Sequence, residues 1–155
     1  MKKLLLLPAL FLISVVASAQ STDLTGTWKL NAEKSKLGDQ FSLGPKEIII
    51  DHKGNDLNVE KHSSMMDQDF TTKDKFTLDG KECINAGFQD SKKKSTCVWS
   101  DDKKSLKVVS VQSIGDGGDM THTEVFKIDG SNLVIESTAS SSYGELVETF
   151  VYDKQ

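Results

Sequence analysis

Two glutamates carry the most chemistry in this chain, because each sits mid-run among apolar residues. In an alternating strand Glu124 shares a face with Phe126 and Ile128, and Glu148 shares one with Leu146, Phe150 and Tyr152. If those faces point inward, two carboxylates lie in an apolar interior, and each needs a partner such as an internal lysine or a ligand amine. If they point outward, both are solvated surface charges; the pattern alone leaves the two open. Cys83 and Cys97, the only cysteines, are placed symmetrically about Asp90. A hairpin folded there sets them opposite each other, which in an oxidising compartment predicts a structural disulfide stabilising by roughly 3 kcal/mol. No C-x-x-C spacing supports a redox or metal role.

His62 with Met65 and Met66, and Met120 with His122, offer two imidazoles and three thioethers, a donor set that suits copper. Nothing in the sequence forces the two segments together, and methionines capping a hydrophobic mouth account for them equally. No metal is therefore expected. The stretch Ser113 to Met120 is rich in glycine and carboxylates but lacks the ligand count and spacing of a calcium loop, and reads as a hairpin tip at a barrel mouth. There is no G-x-S-x-G, no H-E-x-x-H and no glycine-rich phosphate loop. The expectation is a protein that is not an enzyme and holds no cofactor.

The elements that must position these side chains are strands. Short alternating or β-branched runs cover Lys46 to Asp51, Leu57 to His62, Asp69 to Leu78, Ser95 to Trp99, Leu106 to Ile114, Thr121 to Ile128, Leu133 to Thr138 and Glu145 to Tyr152. A first strand runs through Trp28, for nine or ten in all. Turn chemistry separates them at His52 to Asp56, Asp79 to Lys81, Ser100 to Lys104 and Asp129 to Asn132. Three turns lead into one phrase, a leucine followed two residues later by Val or Ile, at Leu57-Val59, Leu106-Val108 and Leu133-Ile135. The phrase reads as a repeated hairpin.

So many strands expose edges unless the sheet closes or stacks. A sandwich needs longer crossover connections, which only residues 31–45 could supply, so an all-β, up-and-down antiparallel barrel of about 8–10 strands is predicted. Its lumen would be lined by Phe76, Trp99, Glu124, Phe126, Glu148 and Phe150, the candidate ligand-binding residues. Trp28, Cys83 and Cys97 are the structural candidates.

Residues 1–19 read as a signal peptide: Lys2-Lys3, an apolar run from Leu4 to Val16, then Ala17-Ser18-Ala19 as cleavage site. Residues 20–155 form the single domain, expected in a periplasm or outside the cell and without a membrane anchor. The chain carries a formal net charge of −4, and all 19 of its basic residues are lysine. Without arginine forks or a basic face it is not expected to bind nucleic acid.

The phrase Thr25-Gly26-Thr27-Trp28-Lys29-Leu30-Asn31 after such a leader resembles the opening of lipocalin-like (calycin) proteins. Glu33 to Gly38 and the ending Glu148 to Lys154 are similar to small secreted bacterial members of that group. The resemblance implies that the tryptophan plugs one end of the barrel. It also implies a late arginine against the ring; this chain has none, and a lysine such as Lys154 could take that place only as a poorer stacking cation. The function it implies is that of an exported, non-enzymatic binding protein holding a small, mostly apolar ligand in the lumen. The rival reading is a packed barrel that acts through its loops, 31–45 and 84–94, on a protein partner such as a secreted enzyme that it inhibits.

Overall fold

The computed structural model describes residues 20–65, 68–87 and 91–155. Residues 1–19, the segment read above as a signal peptide, lie outside the described residues, as do Met66 and Asp90 and the side chain of Met65.

Ten antiparallel strands form one sheet: β1 (Gly26–Leu30), β2 (Glu47–Lys53), β3 (Asp56–Met65), β4 (Gln68–Thr77), β5 (Cys83–Ala86), β6 (Lys92–Trp99), β7 (Ser105–Ser113), β8 (Asp119–Asp129), β9 (Asn132–Ser141) and β10 (Gly144–Lys154). The order β4-β3-β2-β1-β10-β9-β8-β7-β6-β5 is an up-and-down meander whose ends, β4 and β5, are neighbours in the chain. The sheet therefore curls into a nearly closed barrel, as its hairpin spacing predicts. Alternation holds around it: Ile48 and Ile50 are buried while Ile49 faces out, and Leu106, Val108 and Ser110 are buried while Lys107 is exposed. The strand missed in the sequence is β5, only four residues long and with an exposed Ile84.

Side chains rather than a backbone ladder close the seam between β4 and β5. The Asn85 amide accepts from Lys75 N at 2.9 Å and donates to Lys75 O at 3.1 Å, in the manner of a strand partner. Beside it, Thr77 N donates to Cys83 Sγ at 3.2 Å.

One end of the barrel is a filled floor. Trp28, Leu57, Phe126, Leu133, Ile135, Phe150 and Tyr152 are almost solvent-free there, with Phe150 and Tyr152 edge to face at 6.4 Å. Leu24 lies beneath, its carbonyl accepting from Trp28 Nε1 at 3.0 Å. Lys154 Nζ sits 5.2 Å from the Trp28 ring centre, a lysine where the family resemblance implies an arginine. Gly26 makes room for this: its φ is +151°, and a Cβ would lie 3.0 Å from Lys154 Cε.

The opposite end is the mouth, where the 31–46 connection and the β7–β8 and β9–β10 turns lie and where β3 and β5 end and β4 and β6 begin. After β1 the chain makes a turn and rejoins β10 where Lys36 and Thr149 exchange backbone hydrogen bonds of 2.7 and 2.9 Å. It then packs against the inward side chains of β10. A Cβ on Gly44 would lie 2.7 Å from the Phe150 ring, and one on Gly38 2.9 Å from Leu146.

The expected disulfide does not form: Cys83 and Cys97 are both free thiols. The hairpin pairs Cys83 with Ser95, so Cys97 stands two residues further along β6, a diagonal neighbour rather than the directly opposed one. Cys97 itself is buried, and that burial, with Cys83 nearby, pushes its thiol up to about 12.

Candidate functional site: a charged layer beneath the mouth

Between the apolar floor and the mouth, the inward positions turn polar. Continuing the alternation Leu57, Val59, the next inward residue of β3 is Lys61; on β8, Phe126 is followed toward the mouth by Glu124 and His122. Lys61 reaches across the lumen and lies 2.5 and 2.7 Å from the two carboxylate oxygens of Glu124. Only 13% of the lysine side chain and 8% of the glutamate side chain are exposed. Burial alone would raise the Glu124 carboxyl; the Lys61 ammonium, helped by His122 and Lys93, outweighs it and holds the group below the ordinary range. Lys61 Nζ also stands 5.9 Å above the Phe126 ring centre, so this pair forms the ceiling of the floor.

A second buried pair lies behind the side-chain seam. Asp74 of β4 faces Lys93 of β6, with Nζ 2.8 Å from Oδ2 and 2.7 Å from Oδ1. The Oδ1 contact is one of charge only, its angles falling outside those of a hydrogen bond. Among the described residues it is the sole buried side-chain nitrogen or oxygen that makes none. Two shorter links complete the layer. Ser95 and Ser110 hydroxyls meet at 2.8 Å, and His122 Nε2 meets Ser137 Oγ at 2.8 Å. Burial first, then the two lysines, lowers the His122 pKa against the opposing pull of Glu124 and Glu148, so the ring is neutral near pH 7.

Glu148 is also buried, and its partners are backbone groups. Gly38 N donates to Oε1 at 2.9 Å and Leu43 N to Oε2 at 3.0 Å. One carboxylate thus anchors the segment that plugs the β10 side of the mouth. Tyr152 adds a third tie, its hydroxyl donating to Pro45 O at 3.2 Å.

Both glutamates singled out in the sequence therefore face inward. Phe126 and Phe150 are part of the floor, Phe76 is buried beside them, and Trp99 packs against the core partly exposed, 6.0 Å from the His52 ring. The two copper-type segments do not combine. His122 points into the lumen, whereas His62 lies on the outer wall between Glu47 at 3.0 Å and Glu60 at 2.8 Å. The Ser113–Met120 stretch is a hairpin tip at the mouth, with Gly117 against the Tyr143 ring. The loop expected over 84–94 is mostly the β5–β6 hairpin. Sequence reading missed Lys61, Asp74, Lys93 and His122 as lumenal groups. Their signal was parity: Lys61 lies two residues after Val59, Asp74 two before Phe76, and Lys93 two before Ser95. Two hollows mark the outside of the wall, one of about 170 Å³ over Ile49, Asn58 and Lys73, another of about 430 Å³ near the rim between Lys29, Glu47, His62 and Phe70.

A layer of this kind, roofing a filled barrel floor, invites comparison with known barrels. The structure is similar to that of zebrafish ileal bile acid-binding protein complexed with cholic acid, with a TM-score of 0.57 over 84% of this chain and 98% of that one. The two share an up-and-down antiparallel β-barrel. At 19% identity the likeness is one of fold. No protein-family model matches the sequence, and none of the curated proteins matches it.

Proposed function

We propose that this protein is a non-enzymatic binding protein that takes a small, mostly apolar molecule into the mouth half of its barrel. The carrying observation is the charged layer. Lys61, Glu124, Asp74 and Lys93 are buried in a position where apolar side chains of similar volume would stabilise the fold as well or better. A barrel selected for packing alone has no use for them, whereas a binding site uses a few polar groups to orient an apolar guest. Because the floor is filled by its own side chains, the guest lies above it, in space now taken by residues 37–45. That segment has no regular structure and is held inside mainly by Glu148 and Tyr152. Bile acid binding by a barrel of the same fold supports the reading. The leader-like residues 1–19 support export, so we place the activity in a periplasm or outside the cell.

A second reading rests on the rim, where Phe41 and Tyr143 expose 60% and 78% of their surface. Aromatic tips of this kind suit a protein partner, such as a secreted enzyme that the barrel would inhibit through its loops. Native mass spectrometry of protein purified from its host, before and after organic extraction, separates the two. A discrete small mass lost on extraction is expected. The bare chain in both spectra, with a second protein co-purifying, overturns the small-molecule reading.

A further inference from the structure

The charge balance of the buried layer narrows the guest's chemistry, a step that rests on the binding reading above. Both lysines of the layer are already matched, Lys61 by Glu124 and Lys93 by Asp74. Glu148 spends both its oxygens on loop N–H groups. The chain holds no arginine that could add a free cation. A guest carboxylate would have to take Lys61 or Lys93 from its partner and leave a buried carboxylate uncompensated. A guest ammonium would meet two ammonium groups already within 2.5 to 2.8 Å of the oxygens it needs. The one hydrogen-bonding capacity the layer leaves unused is an acceptor's: Asp74 Oδ1, on a residue 4% exposed, lies 2.7 Å from Lys93 Nζ but receives no hydrogen bond. An uncharged donor can bond to it without adding a charge that competes with either ion pair.

We propose that the guest is an uncharged amphipathic molecule bearing a hydroxyl or N–H group, which donates to Asp74 Oδ1 while the Lys61–Glu124 and Lys93–Asp74 pairs stay intact. Asp74 is then the residue that sets specificity.

The test is calorimetric titration of the extracted protein with three probes of one chain length, 1-decanol, decanoate and decylamine. Decanol is expected to bind at least about tenfold more tightly than the other two. Asp74→Asn neutralises the partner of Lys93 and frees a cation, so preference should swing to decanoate by a similar factor. Should that variant fail to fold by circular dichroism, Glu124→Gln frees Lys61 and should produce the same swing. Decanoate or decylamine binding as tightly as decanol to the unmodified protein overturns the inference while leaving the binding site standing. A folded variant with unchanged preference overturns the role of the buried pairs. No binding of any probe overturns the inference together with the lumenal binding reading.

Discussion

At the floor of the barrel Trp28, Phe126, Phe150 and Tyr152 are all buried, Phe150 and Tyr152 edge to face, and Trp28 Nε1 and Tyr152 Oη each bond a backbone carbonyl. One step up each strand, Lys61, Glu124, Asp74 and Lys93 meet in pairs, and what fits there is set by charge rather than by volume. Removing atoms from the floor leaves a cavity whose cost grows with the volume lost. Removing one member of a charged pair leaves an uncompensated ion, whereas removing both leaves little harm. The floor thus reads as the part that makes the fold, and the layer above it as a part retained for another reason.

Trp28→Ala should bring the largest loss, about 3–5 kcal/mol by denaturant unfolding, since it empties the volume between Leu24, Ile48 and Lys154. The charged layer should behave differently. Glu124→Leu alone should cost about 3 kcal/mol or more, because Lys61 then stays buried without a partner. The double change Lys61→Met with Glu124→Leu should restore the midpoint or raise it, while no second substitution rescues Trp28→Ala in the same way. A double variant as unstable as the single one would show that the pair holds the barrel together, and the contrast between floor and layer would fail.

pH sharpens the same contrast through two histidines on opposite faces of the wall. His122, buried in the layer, has its pKa lowered below the usual 6.5, so the folded state resists its protonation. Stability should therefore fall as pH drops below about 6.5 toward the folded value. His62, outside, has its pKa raised by its hydrogen bond to Glu60 and the nearby Glu47. Its contribution is present below about 6.5 and is lost as pH rises through the folded value. His122→Gln should flatten the loss of thermal midpoint between pH 7 and 5, and His62→Gln should steepen it. Glu124 acts in a lower window: its stabilisation is present above the ordinary 4.5 and is lost as pH falls through its lowered value.

The architecture was legible because a meander of β-branched runs and turn residues is written in local sequence: Asn55, Asn132 and their neighbours stop one strand and start the next. Trp28 and Lys154 could be matched because the family resemblance implies an arginine over that ring, and a lysine near the end of the chain stands in for it. The interior layer was half legible. Glu124 and Glu148 stood out as charges among apolar neighbours, but Lys61, Asp74 and Lys93 lie in stretches so charged that one more lysine or aspartate looks like surface. Only the registers β3–β4 and β6–β7 turn them inward. The cysteine bridge failed for a similar reason. Symmetry about Asp90 locates a turn to within a residue or two, and a two-residue shift in pairing turns opposed cysteines into diagonal ones.

The smallest expected effects lie at the edge of the floor, where packing and charge meet on one ring. Lys154→Met keeps the aliphatic chain over Gly26 but removes the ammonium 5.2 Å from the Trp28 ring centre. The cation–π contact of an exposed lysine contributes about 0.5–1 kcal/mol, and the thermal midpoint should fall accordingly. Gly26→Ala should cost more, about 1–3 kcal/mol, because its Cβ both meets Lys154 Cε and forces an L-residue into a φ of +151°. Lys154→Ala separates the two causes. In that background the contact is gone and the backbone strain remains, so the penalty of Gly26→Ala should shrink but persist. Persistence in full would mean that the glycine is there for the backbone alone, and that the lysine settles over a space it did not require.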